Sequence, residues 1–358
     1  MQIGLIGLPQ SGKKTLLRLL TRVEAQAVAA AGNGVAVPGI CPVRDPRLER
    51  LTKLYHPKKV TPATIQYLLM PDLTKDSAKN QELLKALQLV DVLAHLVRAF
   101  TDETVFHLEG SVDPLRDITT VQAELLLSDL LFVEKRLERI AKEFARRGGV
   151  DRTKEQALLT KLQAHLNDNL PLRTLALDPE EEKILSGAPL LTRKPVLIIP
   201  NVGEDRLQDQ HLLEEVQGRW ALQRIHAVQV SAKIEEELSQ LDDPDERAAF
   251  LKELGITESA IDRLTRVSYE ALGLISYFTV GEDEVRAWTL RRGASAAEAG
   301  GVIHSDIERG FIRAELMKYQ DLIALGSEQA VASAGKAHLK GKEYLVEDGD
   351  ILSFRFNV

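Results

Sequence analysis

The chain of 358 residues holds one cysteine, Cys41. No internal disulfide can form, and a cysteine-clustered zinc site is excluded. Such a composition suits a reducing compartment, so a cytoplasmic location is expected. Long hydrophobic runs are also missing. Strand-like runs such as Val196–Ile199 fall far short of the ~20 apolar residues that cross a bilayer, and no membrane partner is expected. The opening residues, MQIGLIGLP, carry no basic stretch and no cleavage pattern, so a secretory signal is not expected. Positive charge is not in surplus. A formal net charge of −7 removes any whole-protein basic field for nucleic acid. No internal repeat and no low-complexity tract appears.

What is present is an ordinary globular balance, 44% hydrophobic and 28% charged. At about 150 residues per domain, two or three domains are expected. Short apolar segments at Gln2–Ile6, Ile65–Met70, Val92–Phe100, Lys194–Pro200 and Ile225–Val230 alternate with helical stretches such as Thr15–Leu20. Apolar strands separated by helices predict a parallel sheet covered on both faces. We assign residues 1–118 and 192–272 to this discontinuous α/β domain.

Residues 119–191 differ. Apolar residues at Leu126, Leu130, Val133, Leu137, Ile140 and Phe144 are spaced alternately by four and three, a heptad seam. Gly148-Gly149 breaks it, and Leu159, Leu162 and Leu166 mark a second helix. An inserted antiparallel helical hairpin follows. Between Val133 and His165 nine basic residues face five acidic ones. That surplus reads either as a solvated helix surface or as a phosphate-contacting arm. Residues 276–358 carry short strands at Val285–Leu290, Phe311–Leu316, Tyr344–Val346 and Leu352–Asn357 around a helix at Ser295–Ile303, an α+β module.

Gly7-Leu8-Pro9-Gln10-Ser11-Gly12-Lys13 fits the G-x-x-x-x-G-K pattern, after a strand and before a helix. Glycines let backbone N–H groups surround phosphates, the helix N-terminus adds positive potential, and Lys13 reaches the β- and γ-phosphates. The next residue breaks the pattern. A hydroxyl there would ligate Mg²⁺, but the residue is Lys14, which has three donors and no acceptor. Thr15, one residue on, lies about 100° around the helix. No serine or threonine occurs between Thr21 and Thr52, where a switch segment would close on the metal. The second strand ends in Leu69-Met70-Pro71-Asp72, with Leu69 where a metal-binding Asp belongs and Asp72 in the position of the following Gly. On this strand ending Asp72 is not expected to compensate. Metal chemistry reads as abandoned, with Lys14 either a second fixed charge beside the phosphates or a solvated side chain.

Asn201-Val202-Gly203-Glu204, after an apolar strand, stands where many GTPases have N-K-x-D, and Ser231-Ala232-Lys233 follows the next strand as a base-supporting loop. His304, Asp306 and Glu308 read as packing within the small domain rather than as a metal site. Arg286 and Trp288 alternate onto one strand face and could form a cation–π pair.

With these motifs the chain resembles the YchF subgroup of the Obg-like P-loop proteins over nearly its full length. The residues that carry the resemblance are GLPQSGK at 7–13, DPRL at 45–48, NVGED at 201–205, SAKIEEEL at 231–238, SYFTVGEDEVRAWTL at 276–290, HSDIERGFIRAE at 304–315 and EDGDILSFRFNV at 347–358. The resemblance implies an α/β fold: a Ras-like, Obg-type P-loop NTPase domain, the inserted hairpin, and a ubiquitin-like (β-grasp) TGS domain at 276–358. It implies ATP preferred over GTP. Its phosphate-loop positions map to Gln10, Ser11, Gly12, Lys13, Lys14 and Thr15, and its adenine-reading positions to Asn201, Val202 and Glu204; Gly7 of the glycine pattern and Ser231, Ala232 and Lys233 of the base-supporting loop complete the expected nucleotide-binding set. It implies ribosome association, with Arg146, Arg147 and Arg152 of the hairpin and the TGS domain as contact surfaces. The family's G-K-S-T and D-I-A-G are replaced here, and Lys75-Asp76-Ser77-Ala78-Lys79-Asn80 stands in a shortened switch. Mg²⁺ and hydrolysis are therefore not carried over, and no catalytic residue is assigned. Three functions stay open: a nucleotide-binding regulator with weak or lost hydrolysis, a Mg²⁺-dependent ATPase or GTPase with a rearranged metal site, and a scaffold that binds no nucleotide.

Overall fold

Twelve strands form among the described residues: β1 Gln2–Ile6, β2 Val37–Pro42, β3 Lys59–Thr61, β4 Thr64–Leu69, β5 Val92–Ala99, β6 Val196–Val202, β7 His226–Ala227, β8 Leu274–Thr279, β9 Glu284–Arg291, β10 Phe311–Lys318, β11 His338–Lys340 and β12 Asp350–Phe356. The structure, a computed structural model, describes the chain apart from residues 22–35, 75–76, 148–151 and 358. Part of the expected switch region and the Gly148-Gly149 turn lie outside the described residues. The chain divides into two units, Met1–Gly39 with Gln66–Leu264, and Ile40–Ile65 with Thr265–Val358.

The first unit is built on a six-stranded sheet in the order β2-β4-β1-β5-β6-β7. β1 pairs in parallel with β4 and β5, β5 with β6, and β6 with β7. β5 and β6 are buried along their whole length. Both are continuous apolar runs, as strands covered on two faces must be. Leu93, Val97, Ile198 and Val216 join one core cluster. The helix Pro114–Arg147 serves two cores. Its first turns place Ile118, Val121 and Leu125 against the sheet. Further along, Val133 and Ile140 pack with Leu158, Leu159, Leu162 and Leu166 of the helix Thr153–Asn167, giving the hairpin. Asp129, fully buried, secures the returning chain: it accepts from the N–H groups of Leu191 (2.7 Å) and Thr192 (2.8 Å) and from the Thr192 hydroxyl (2.6 Å).

The second unit has its own sheet, ordered β11-β10-β12-β8-β9-β3. β10 runs antiparallel to β11 and β12, β12 parallel to β8, and β3 parallel to β9. Ser295 and Glu298 form a reciprocal capping box on the helix Ala296–Ile303. That helix buries Ala296 and Ala299 against Tyr277, Leu290, Leu316 and Leu352. The DPRL segment is part of this unit. Asp45 caps the helix Pro46–Tyr55, and the Arg47 guanidinium joins Asp45 to Asp348 and lies 5.3 Å from the Phe278 ring centroid.

The expected α/β fold with a C-terminal α+β module is observed, with local differences. No strand forms at Tyr344–Val346. Leu345 makes only an isolated bridge to Ser295, because the chain turns at once to bring Asp350 N–H onto the Glu347 carbonyl. The segment Ile225–Val230 is strand only at His226–Ala227, with one further bridge from Val230 to Asn201. β6 runs on to Val202, so Asn201 and Val202 end a strand rather than begin a loop. His304 is exposed rather than packed: it caps the helix Ser305–Arg309 by accepting from Asp306 N–H. Arg286 lies over Trp288, 3.7 Å from the ring centroid.

Candidate functional site

The first unit gathers its functional side chains at the C-terminal edge of the parallel sheet, where open α/β folds place ligands. Gly7 has φ 148° and Gly12 φ 97°. A Cβ at Gly7 would sit 2.3 Å from the Leu96 carbonyl, and one at Gly12 would sit 2.5 Å from Asn201 Nδ2. Both positions require glycine, by conformation and by close approach. Gln10 at φ 62° is also left-handed. The loop closes onto the helix Lys13–Thr21.

Lys13 is 5% exposed. Its Nζ donates to the carbonyls of Gly7 (2.9 Å) and Leu8 (2.7 Å) and to Asp72 Oδ1 (2.7 Å). Three donors meet three acceptors. Burial holds the ammonium below its ordinary pKa, against the opposing pull of Asp72. Asp72 reaches Lys13 from the chain beyond β4, which ends at Leu69. Sequence gave no sign that this carboxylate would be the lysine's partner, because the contact joins segments about sixty residues apart.

Asn201 connects the phosphate loop to the base-supporting loop. Its Nδ2 donates to the Ser11 carbonyl (3.0 Å), and its Oδ1 accepts from Ala232 N–H (3.0 Å). Val202 N–H donates to the Val230 carbonyl at 2.8 Å. Glu204 and Lys233 form a rim pair at 3.6 Å, both exposed. Ser11 and Ser231 are buried, and their hydroxyls have no hydrogen-bond partner. Orphaned buried polar atoms of this kind are rare and call for a partner. Gly7, Gln10, Ser11, Gly12 and Lys13 therefore share one end of the sheet with Asn201, Val202, Ser231 and Ala232. Lys14 is exposed and Thr15 half-buried on the helix. His95, opposite Ile6 across the β1–β5 pairing, is a buried group that sequence reading missed; a histidine inside an apolar strand was its signal. Burial, aided by nearby Lys13, pushes it down to about 3, and its Nε2 has no partner.

Among the described residues, the positions from which the fold implies a Mg²⁺ would be held do not offer it a set of oxygen ligands. That ion takes oxygen ligands in octahedral array. The position after Lys13 offers an ammonium, Leu69 is a buried hydrocarbon, and the Asp72 carboxylate is engaged by Lys13.

The parallel sheet and the glycine loop between β1 and its helix define a P-loop protein. The family model YchF-GTPase_C, described as "Protein of unknown function (DUF933)", matches residues 274–357. A Bacillus subtilis protein named ribosome-binding ATPase YchF is 40% identical, with 99% of each chain covered. The Caenorhabditis elegans Obg-like ATPase 1 is 36% identical over 100% of this chain and 92% of its own. The solved Schizosaccharomyces pombe YchF GTPase superposes with a TM-score of 0.86 at 32% identity, covering 99% and 97% of the two chains. The chain belongs to the YchF family.

Proposed function

We propose that this protein binds a purine nucleotide, ATP in preference to GTP, associates with ribosomes in the cytoplasm, and hydrolyses the nucleotide slowly or not at all. The observation that carries the reading is Asn201: one side chain fixes the phosphate loop through Ser11 and the base-supporting loop through Ala232. A preorganised pocket of that kind needs no ordering when ligand enters. Loop N–H groups at Gln10–Thr15 and Lys13 would hold the phosphates. The orphaned Ser11 and Ser231 hydroxyls would gain partners. Asn201–Glu204 and Ser231–Lys233 would flank the base, with Glu204 accepting from an exocyclic amine. Slow turnover follows from the ligand set, because phosphoryl transfer relies on a metal to neutralise developing charge.

Ribosome association comes from the names of the relatives. Residues 276–358, read as a TGS domain, and the inserted hairpin of residues 119–191 are the proposed contacts, and the nucleotide-binding domain is residues 1–118 with 192–272. Arg152 is already paired with Glu143 (3.3 Å) and Glu155 (3.2 Å), so a phosphate would exchange for those partners. The side chains of Arg146 and Arg147 lie outside the described residues. Titration calorimetry with ATP, GTP and ADP, each with Mg²⁺ and with chelator, tests the nucleotide reading. Binding that persists in chelator is expected. Strict Mg²⁺ dependence with turnover would favour a rearranged metal site, and no heat with any nucleotide would favour a scaffold.

A further inference from the structure

The sequence and the structure disagree about what Lys13 is for. By position it is the phosphate lysine. In the folded chain all three of its donors are taken, one of them by Asp72 Oδ1 at 2.7 Å. The two carbonyl partners belong to the loop itself. Asp72 is the foreign partner, and it brings a full negative charge to the point where a γ-phosphate would meet the lysine.

Asp72 is also free to leave. Its side chain is about half exposed (49%), while that of Lys13 is 5% exposed. It follows Pro71 in irregular chain beyond the end of β4. Lys14 offers a donor and Leu69 a hydrocarbon at the positions from which Mg²⁺ would be held, so no metal ion held by them would separate it from a phosphate.

We propose that Asp72 acts as a resident anion on Lys13 and makes the phosphate loop select nucleoside diphosphates over triphosphates. The proposal deepens the nucleotide-binding reading above and rests on it. A diphosphate fills the loop N–H groups and draws on Lys13 with its β-phosphate, leaving room for Asp72 alongside. A γ-phosphate adds charge at the carboxylate itself. Unit charges a few ångströms apart near a protein surface repel by enough to change affinity by roughly tenfold or more. The same contact makes Asp72 a specificity-determining residue. It touches the phosphate-binding lysine and takes no part in bond making.

The test compares ADP and ATP by titration calorimetry, in chelator and again with Mg²⁺, on the full chain and on Asp72→Asn and Asp72→Glu, with thermal melting to establish that each variant folds. The parent should bind ADP about tenfold or more tighter than ATP. Asp72→Asn, of nearly the same shape but neutral, should bring the two affinities together mainly by tightening ATP. Asp72→Glu, which keeps the charge, should retain the preference. An ADP-to-ATP ratio in the parent near one, or one left unchanged in Asp72→Asn, overturns the proposal while leaving nucleotide binding standing. ATP binding that appears only with Mg²⁺ and disappears in Asp72→Asn also overturns it, by making Asp72 a metal ligand. Absence of binding by the parent and all variants overturns the nucleotide reading and this proposal together.

Discussion

Asn201 on β6 donates its amide to the backbone of Ser11, 190 positions earlier, at 3.0 Å. With its other end on Ala232 N–H it closes a three-segment joint between the phosphate loop and the loop behind the base. Asn201→Ala removes both bonds and leaves a buried carbonyl and amide without partners. A loss of about 1–3 kcal/mol in organising the site is expected. That should appear as roughly tenfold to hundredfold weaker ADP binding by calorimetry, with the far-ultraviolet dichroism unchanged. Undiminished affinity would remove Asn201 from the binding argument.

Lys14 stands where a hydroxyl would hold Mg²⁺, and it is exposed. Lys14→Ser returns an oxygen to that position. Mg²⁺ should then strengthen ATP binding in the variant and have little effect in the parent. The readout is the ratio of affinities with and without the ion. An identical ratio in both proteins would mean that Lys14 is only a solvated side chain.

His95 links the site to acid stability. Its folded pKa of about 3 lies below the ~6.5 of the unfolded chain. Between those values the unfolded state binds a proton that the folded state refuses, so folding is favoured at higher pH. Stability should be complete above pH ~6.5 and fall as pH drops toward ~3, by about 1.4 kcal/mol per unit in the middle of that range. Urea unfolding at pH 5 and pH 7.5 should show His95→Gln losing about 2 kcal/mol less than the parent across the interval. Parallel losses would show that other groups set the acid limit.

Asp129, in the helix Pro114–Arg147, holds the chain at Leu191 and Thr192, ahead of β6, through three hydrogen bonds, and it is wholly buried. Burial raises its pKa, yet each bond favours the ionised form. Asp129→Ala strands two N–H groups and a hydroxyl. A destabilisation of about 3 kcal/mol is expected, read as a lower urea midpoint. A midpoint within experimental scatter of the parent would show that water replaces the carboxylate there.

The hairpin's charge is testable separately. Reversing Arg146, Arg147 and Arg152 to glutamate should weaken co-sedimentation with ribosomes and flatten its dependence on salt, because fewer counterions are released. An unchanged slope would assign the basic surplus to ion pairs such as Arg136–Glu155 and Arg139–Glu143.

The chain's sequence determined its parallel strands, because β5 and β6 are apolar at nearly every position and only a doubly covered strand tolerates that. It also determined the glycine loop, since Gly7 and Gly12 take backbone angles that other residues resist. The helical hairpin was legible from spacing as well. Strands of two or three residues were not: β3 gains its place by pairing with β9, more than two hundred positions away, and Lys59-Val60-Thr61 carries no periodic pattern of its own. Tertiary structure alone decided that Asn201 joins Ser11 to Ala232, and that Asp72 meets Lys13. Both facts are contacts between distant segments, and a lysine's partner is set by which carboxylate the folded chain brings within about 3 Å, not by the residues beside it.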